Sequence, residues 1–122
     1  MGRSVAQFFL QGCGLESILQ TAQAFGTRER LGVADSSPNH VTLSSGNEWV
    51  AGKKAVRVTA WPAEGGVNVQ VEAWWEGVPW GEMNADPRPF AGRLVRKDLW
   101  KTANRLLGVL GVANPETILR HY

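Results

Sequence analysis

Residues 54–75 read KAVRVTAWPAEGGVNVQVEAWW, and this stretch decides the fold. Apolar and polar residues alternate on both sides of a PAEG turn, which is the two-residue period of strands buried on one face. Val56, Val58 and Ala60 share a face with Val67, Val69 and Val71. The other face carries Arg57, Thr59, Trp61, Asn68, Gln70, Glu72 and Trp74. Pairing Trp61 with Gly66 across residues 62–65 sets Val58 against Val69 and Arg57 against Gln70. A one-residue slip would set Arg57 against Val71 and mix the faces.

On the N-terminal side of this hairpin, residues 30–35 and 40–45 alternate in the same way, joined by Ser36-Ser37-Pro38-Asn39, which is turn chemistry. Further back, Leu15, Ile18, Leu19, Ala22 and Phe25 recur at helical spacing, with Gly26 as the expected stop. Residues 4–10 (SVAQFFL) are β-branched and aromatic and predict a strand. On the C-terminal side, residues 78–97 hold Pro79, Pro87 and Pro89 and predict a long, lid-like connection. Asp98 is the expected N-cap of a last helix, whose apolar stripe is Leu99, Ala103, Leu106, Leu107 and Leu110.

At 122 residues, the chain suits a single α+β domain covering residues 1–122. Its elements run β-α-β-β-β-β-α. Four successive strands on short turns give a curved antiparallel sheet, and two amphipathic helices cover one face of it. This order resembles the TATA-binding-protein-like and helix-grip folds, the latter including the START and Bet v 1 type ligand binders. The resemblance lies in element order alone, so it carries over no functional residue.

The net charge of +2 permits an anionic partner without demanding one. A single cysteine, Cys13, excludes an internal disulfide and points to a reducing compartment. No apolar run reaches the roughly 18 residues of a membrane span. Leu10-Gln11-Gly12-Cys13 looks like a lipoprotein cleavage box, but the apolar stretch before it is too short. Met1-Gly2 opens like a myristoylation site, yet Ala6 stands where Ser or Thr is needed. The expected location is therefore cytoplasmic, with no membrane partner.

Three groups of side chains carry functional expectations. Trp75, Trp80, Met83, Phe90 and Trp100 are the expected walls of a pocket between the sheet and the C-terminal helix, because such pockets are apolar and aromatic with few polar groups. Arg57, Trp61, Gln70, Glu72 and Trp74 form an outer-face contact surface, since tryptophan is enriched at interfaces. A neighbouring side chain folded over these rings would explain them without a partner. Arg93, Arg96, Lys97, Lys101 and Arg105 are the anion or nucleic-acid candidates. Lys97, Lys101 and Arg105 share one helix face, and Arg93 and Arg96 precede the helix start. Arg88 opens the same basic run, and an ordinary solvated helix face is the favoured explanation of it, with nearby Glu72, Glu76, Glu82 and Asp86 as partners.

His40, His121 and Cys13 have no metal-ligand spacing, and Gly12-Cys13-Gly14 lacks the rest of a phosphate-binding loop. No nucleophile, metal set or cofactor motif stands out, so the expectation is a non-enzymatic binding domain without a cofactor. Its leading partner is an apolar or aromatic small molecule. A homodimer across the outer sheet face comes second, and weak nucleic-acid binding by the last helix third.

Overall fold

A computed structural model describes residues 2–47, 52–77, 81–89 and 93–122. The elements are β1 (Ser4–Gln11), α1 (Leu15–Arg28), β2 (Gly32–Ser37), β3 (His40–Asn47), β4 (Gly52–Ala63) and β5 (Gly66–Gly77). They are followed by β6 (Gly81–Met83), α2 (Arg93–Val109), a 3-10 turn (Pro115–Thr117) and β7 (Arg120–His121). The sheet is antiparallel, in the order β2-β3-β4-β5-β1-β7, with β6 also on β5. The α+β class and the order read from the sequence are both present, and two short strands, β6 and β7, extend the sheet beyond the expected set.

The hairpin β4–β5 pairs Ala63 with Gly66 and Trp61 with Asn68, two residues further along than the alternation suggested. The turn is therefore Glu64-Gly65, not residues 62–65. A two-residue shift keeps every side chain on its face, so the apolar pattern cannot distinguish the two registers. Gly65 does, because its φ of 81° closes the tighter turn at no steric cost. Pro62 then falls inside β4. The Ala60 N–H donates to the Asn39 carbonyl at 2.9 Å, so position 62 faces the same way. β3 has its last partner on β4 at Thr59, and the missing N–H of Pro62 costs no ladder bond there.

One face of the sheet holds the core. Val41, Leu43, Val56, Val58, Ala60, Val67, Val69, Val71 and Ala73 are buried on it. α1 lays Ile18, Ala22 and Phe25 against this face, α2 adds Leu99, Ala103, Leu106 and Leu107, and Leu110 follows just past the end of α2. Each Val, Leu, Ile or Phe among them contributes about 1.5–3 kcal/mol on burial, so sheet and helices are held together mainly by this layer. α1 runs past Gly26 to Arg28. α2 starts five residues before Asp98, at Arg93, so Asp98 lies inside the helix rather than capping it, and Arg93 and Arg96 belong to its first turns.

β1 is central to the topology. It pairs with β5 from Ser4↔Ala73 to Gln11↔Gly66. A Cβ on Gly66 would collide with the Leu10 carbonyl oxygen and meet the Phe9 ring at 2.9 Å, so glycine is what allows the two strands to approach here. β6 continues the line of β1 along the same edge of β5, because β4 occupies the opposite edge as far as Glu76.

Candidate functional site

A cleft of about 410 Å³ opens between the sheet and the start of α2, lined by Ser45, Gly52, Lys54, Trp75, Leu94, Val95 and Asp98. Strand parity positions its floor. Trp75 lies opposite Lys54 across β4–β5, on the same face as Val71 and Val56, and is 9% exposed. Lys54 shares that parity and enters the cleft from an otherwise apolar face. Its Nζ donates to Asp98 Oδ2 at 2.9 Å and to Thr102 Oγ1 at 3.0 Å, so the charge is matched while the stem lies along apolar surface. α2 supplies the opposing wall through Val95 and Leu94, and Leu94 is 84% exposed. The cleft thus has apolar walls and one cation–carboxylate pair.

Of the expected pocket residues, Trp75 lines this cleft. Met83 pairs with Trp75 across β5–β6 and is partly buried against the core, as is Trp100, but neither lines the cleft. Trp80 and Phe90 lie outside the described residues. Below the cleft, Leu99, Ala103, Leu106 and Leu107 are fully buried, so the centre of the helix–sheet layer is packed and the open space lies at one end of it. Lys54, Leu94, Val95 and Asp98 were not anticipated as lining residues. Lys54 carried a signal, as a charged residue in phase with Val56 and Val58. Leu94 carried none, because α2 was expected to begin after it.

The outer sheet face is a connected polar network around Trp74. This ring is on the face that alternation assigned, yet it is only 3% exposed. The Arg3 guanidinium lies 3.8 Å from the ring centroid and that of Arg57 lies 5.4 Å away, a cation–π arrangement. Arg3 Nε and Nη2 donate to the two carboxylate oxygens of Glu82 at 3.0 and 2.9 Å, and Nη1 donates to Glu72 at 2.9 Å. The hydrogen bonds from Arg3 hold the Glu82 carboxyl below the usual carboxylate range. The Trp74 indole N–H donates to Glu76 at 2.8 Å. Gln70 donates to Glu72 and accepts from Gln7. Arg57 Nε donates to Thr42 Oγ1 at 2.8 Å, and Thr42 Oγ1 in turn donates to Asp35. His40 bridges Asp35 and Ser37 at 2.7 and 2.6 Å and ties the β2–β3 hairpin. Trp61, in contrast, is 43% exposed. It lines a cavity of about 420 Å³ with Gln7, Phe8, Phe9, Asn68 and Val69.

The basic set is dispersed. Arg105 makes a two-point ion pair with Glu29, at 3.1 and 2.7 Å. Arg93 is exposed in the first turn of α2, Arg96 is partly buried, and Lys97 and Lys101 are exposed. Of the four acids expected to pair with this run, Asp86 does so, through Arg88 at 2.8 Å; Glu72 and Glu82 are bound by Arg3 instead.

At the start of β1, opposite Ala73, Ser4 Oγ lies 2.6 Å from His121 Nδ1 and accepts the Ala85 N–H at 2.8 Å. Ser4 is fully buried, so this contact joins the two ends of the chain rather than presenting a nucleophile. Among the described residues there is no group of three or more His, Cys, Asp or Glu placed to hold a metal, and no helix is long and apolar enough to cross a membrane. Comparison with protein-family models and with curated proteins gives no match. What the chain does must therefore be argued from the cleft and the two sheet surfaces themselves.

Proposed function

We propose that this chain is a binding domain for an apolar or aromatic small molecule, held in the cleft between Trp75 and the first turns of α2. The observation that carries the proposal is the opposition of a nearly buried indole, Trp75, and a fully presented Leu94 across about 410 Å³ of open space. Concave, mostly apolar sites with a few placed polar groups are the usual form of ligand pockets. Lys54 and Asp98 supply the polar groups. A ligand carrying a carboxylate can take Lys54 Nζ from Asp98, which lies mostly in solvent and loses little when released.

A dimer across the outer sheet face has less support. Trp74 is covered by its own Arg3, which leaves Trp61 as the exposed tryptophan there. Nucleic-acid binding along α2 has less still, because Arg105 is already neutralised by Glu29.

The test is thermal unfolding of the full chain with 1-naphthoate and a panel of related aromatic acids. A ligand of the native state raises the midpoint by mass action. The expected result is a saturable rise that Leu94→Asp abolishes. No rise with any member of the panel, or a rise that Leu94→Asp leaves intact, would count against the cleft.

A further inference from the structure

The two edges of the sheet are built differently. β2, at one edge, is interrupted by a register shift between Val33 and Asp35 and carries the Asp35 carboxylate. Bulges and charges of this kind discourage pairing with another chain. At the other edge β7 covers only the first residues of β1, pairing Ser4 with His121 and Val5 with Arg120. The chain leading into β7 is a 3-10 turn, Pro115–Thr117, so β7 does not extend alongside the rest of β1.

The direction of the uncovered backbone groups follows from the hydrogen bonds at each end of β1. Tyr122 N–H donates to the Arg3 carbonyl at 2.9 Å, so Arg3 turns its backbone toward β7. Alternation then turns Val5, Gln7, Phe9 and Gln11 the same way. The opposite set is fixed independently, because Gly12 N–H donates to Gly65 on the β5 side at 2.8 Å. Among the described residues, the amides and carbonyls of Gln7, Phe9 and Gln11 therefore face an edge with no strand on it.

The sequence along that edge is Gln7-Phe8-Phe9-Leu10-Gln11, which reads nearly the same in both directions. It has no charge, no proline and no bulge. We infer that a second copy of this chain adds to this edge, the two β1 strands pairing antiparallel about a two-fold axis at Phe9. Phe9 then meets its own counterpart, Gln7 meets the second copy's position 11, and Phe8 meets its position 10. Every pairing is like with like: Phe8 and Leu10 lie on the helix side, partly buried against the core, while Gln7, Phe9 and Gln11 lie on the outer side. An isologous contact demands this self-complementarity. An uncharged edge also lets two identical strands meet without like-charge repulsion. Phe9, 46% exposed, gains a cross-strand aromatic partner at the axis. The contact is through the sheet edge and leaves the cleft at Trp75 and Leu94 open, so it stands or falls separately from the proposed ligand site.

The experiment is disulfide trapping in a Cys13→Ala background, combined with sedimentation of the untagged full chain. Facing backbone-bonded pairs have Cα atoms about 5.5 Å apart, within disulfide range. Phe9→Cys is expected to cross-link to itself under mild oxidation. Gln7→Cys and Gln11→Cys are expected to cross-link when mixed, and neither to itself. Phe9→Glu, at an exposed position that keeps the fold, is expected to raise the dimer dissociation constant by about tenfold or more, because it sets two carboxylates face to face. A chain that sediments as a monomer up to millimolar concentration would overturn the inference. So would a dimer that Phe9→Glu leaves intact, or one trapped through Trp61→Cys and not through Phe9→Cys.

Discussion

The guanidinium of Arg3 stacks 3.8 Å above the centroid of the Trp74 ring, and it is this cation, not an apolar side chain, that takes Trp74 out of solvent. The register explains the contact. Ser4 pairs with Ala73, so the residue before β1 falls opposite the residue after Ala73. β6 then brings Glu82 to the far side of the same guanidinium. Arg3 thus joins β1, β5 and β6 at one point.

Arg3→Ala leaves Glu72 and Glu82 facing each other without their shared cation and uncovers the Trp74 ring. The expected loss is about 1–2 kcal/mol, in the range of a partly buried, hydrogen-bonded ion pair with a cation–π contact. Arg3→Lys should recover only part of it, because an ammonium cannot reproduce the two-point bond to Glu82. Urea unfolding measures the loss, and the native Trp emission should shift to the red in Arg3→Ala.

Acid should weaken the fold in two stages. Burial lowers the His121 pKa below its usual 6.5, so the unfolded chain takes up this proton first. The stability is present above 6.5 and is lost as pH falls toward the folded value. The hydrogen bonds from Arg3 lower the Glu82 pKa below 4.5, so its share is complete above 4.5 and lost as pH falls through the depressed value. Urea unfolding at a series of pH values should show both stages. His121→Gln should flatten the first, and Arg3→Ala should reduce the second, which Glu29, Asp35 and Asp86 share through their own lowered pKa values.

Gly66→Ala should destabilise the protein by about 2 kcal/mol or more, since an added Cβ meets backbone rather than a movable side chain. Gly65→Ala should cost about 1 kcal/mol, through its positive φ alone. Thermal unfolding of the two variants separates a close approach between strands from a turn requirement.

Lys54→Met should change stability by less than about 1 kcal/mol, because it keeps the apolar stem and removes a pair whose carboxylate is mostly solvated. It should nevertheless weaken binding of an aromatic acid more than binding of the uncharged parent hydrocarbon. Comparing the two ligands on the two proteins by calorimetry checks this.

The valines of residues 54–75 were legible because a strand half in the core writes its period directly into the sequence. The two-residue register of the hairpin was not, since both alternatives satisfy that period and the choice rests on the Gly65 turn. Trp74 was legible as outward-facing, and a cover from a neighbouring side chain was among the expectations, but not that the cover is Arg3, which is remote in sequence and arrives through the β1–β5 pairing. The cleft was half legible. Trp75 announced itself through parity, whereas Leu94 depends on α2 starting at Arg93, and a run of Arg and Lys without an acidic cap gives no helix-start signal. The free edge of β1 could not be read at all without knowing that β7 stops at Val5.

The cleft is tested most directly by a two-dimensional amide and indole NMR titration of the full chain with 1-naphthoate. The account predicts saturable shifts at the Trp75 indole and at the amides of Lys54, Leu94, Val95 and Asp98, all lost in Leu94→Asp. Shifts confined to Phe9, Trp61 and Asn68, or no shifts at saturating ligand, would contradict it.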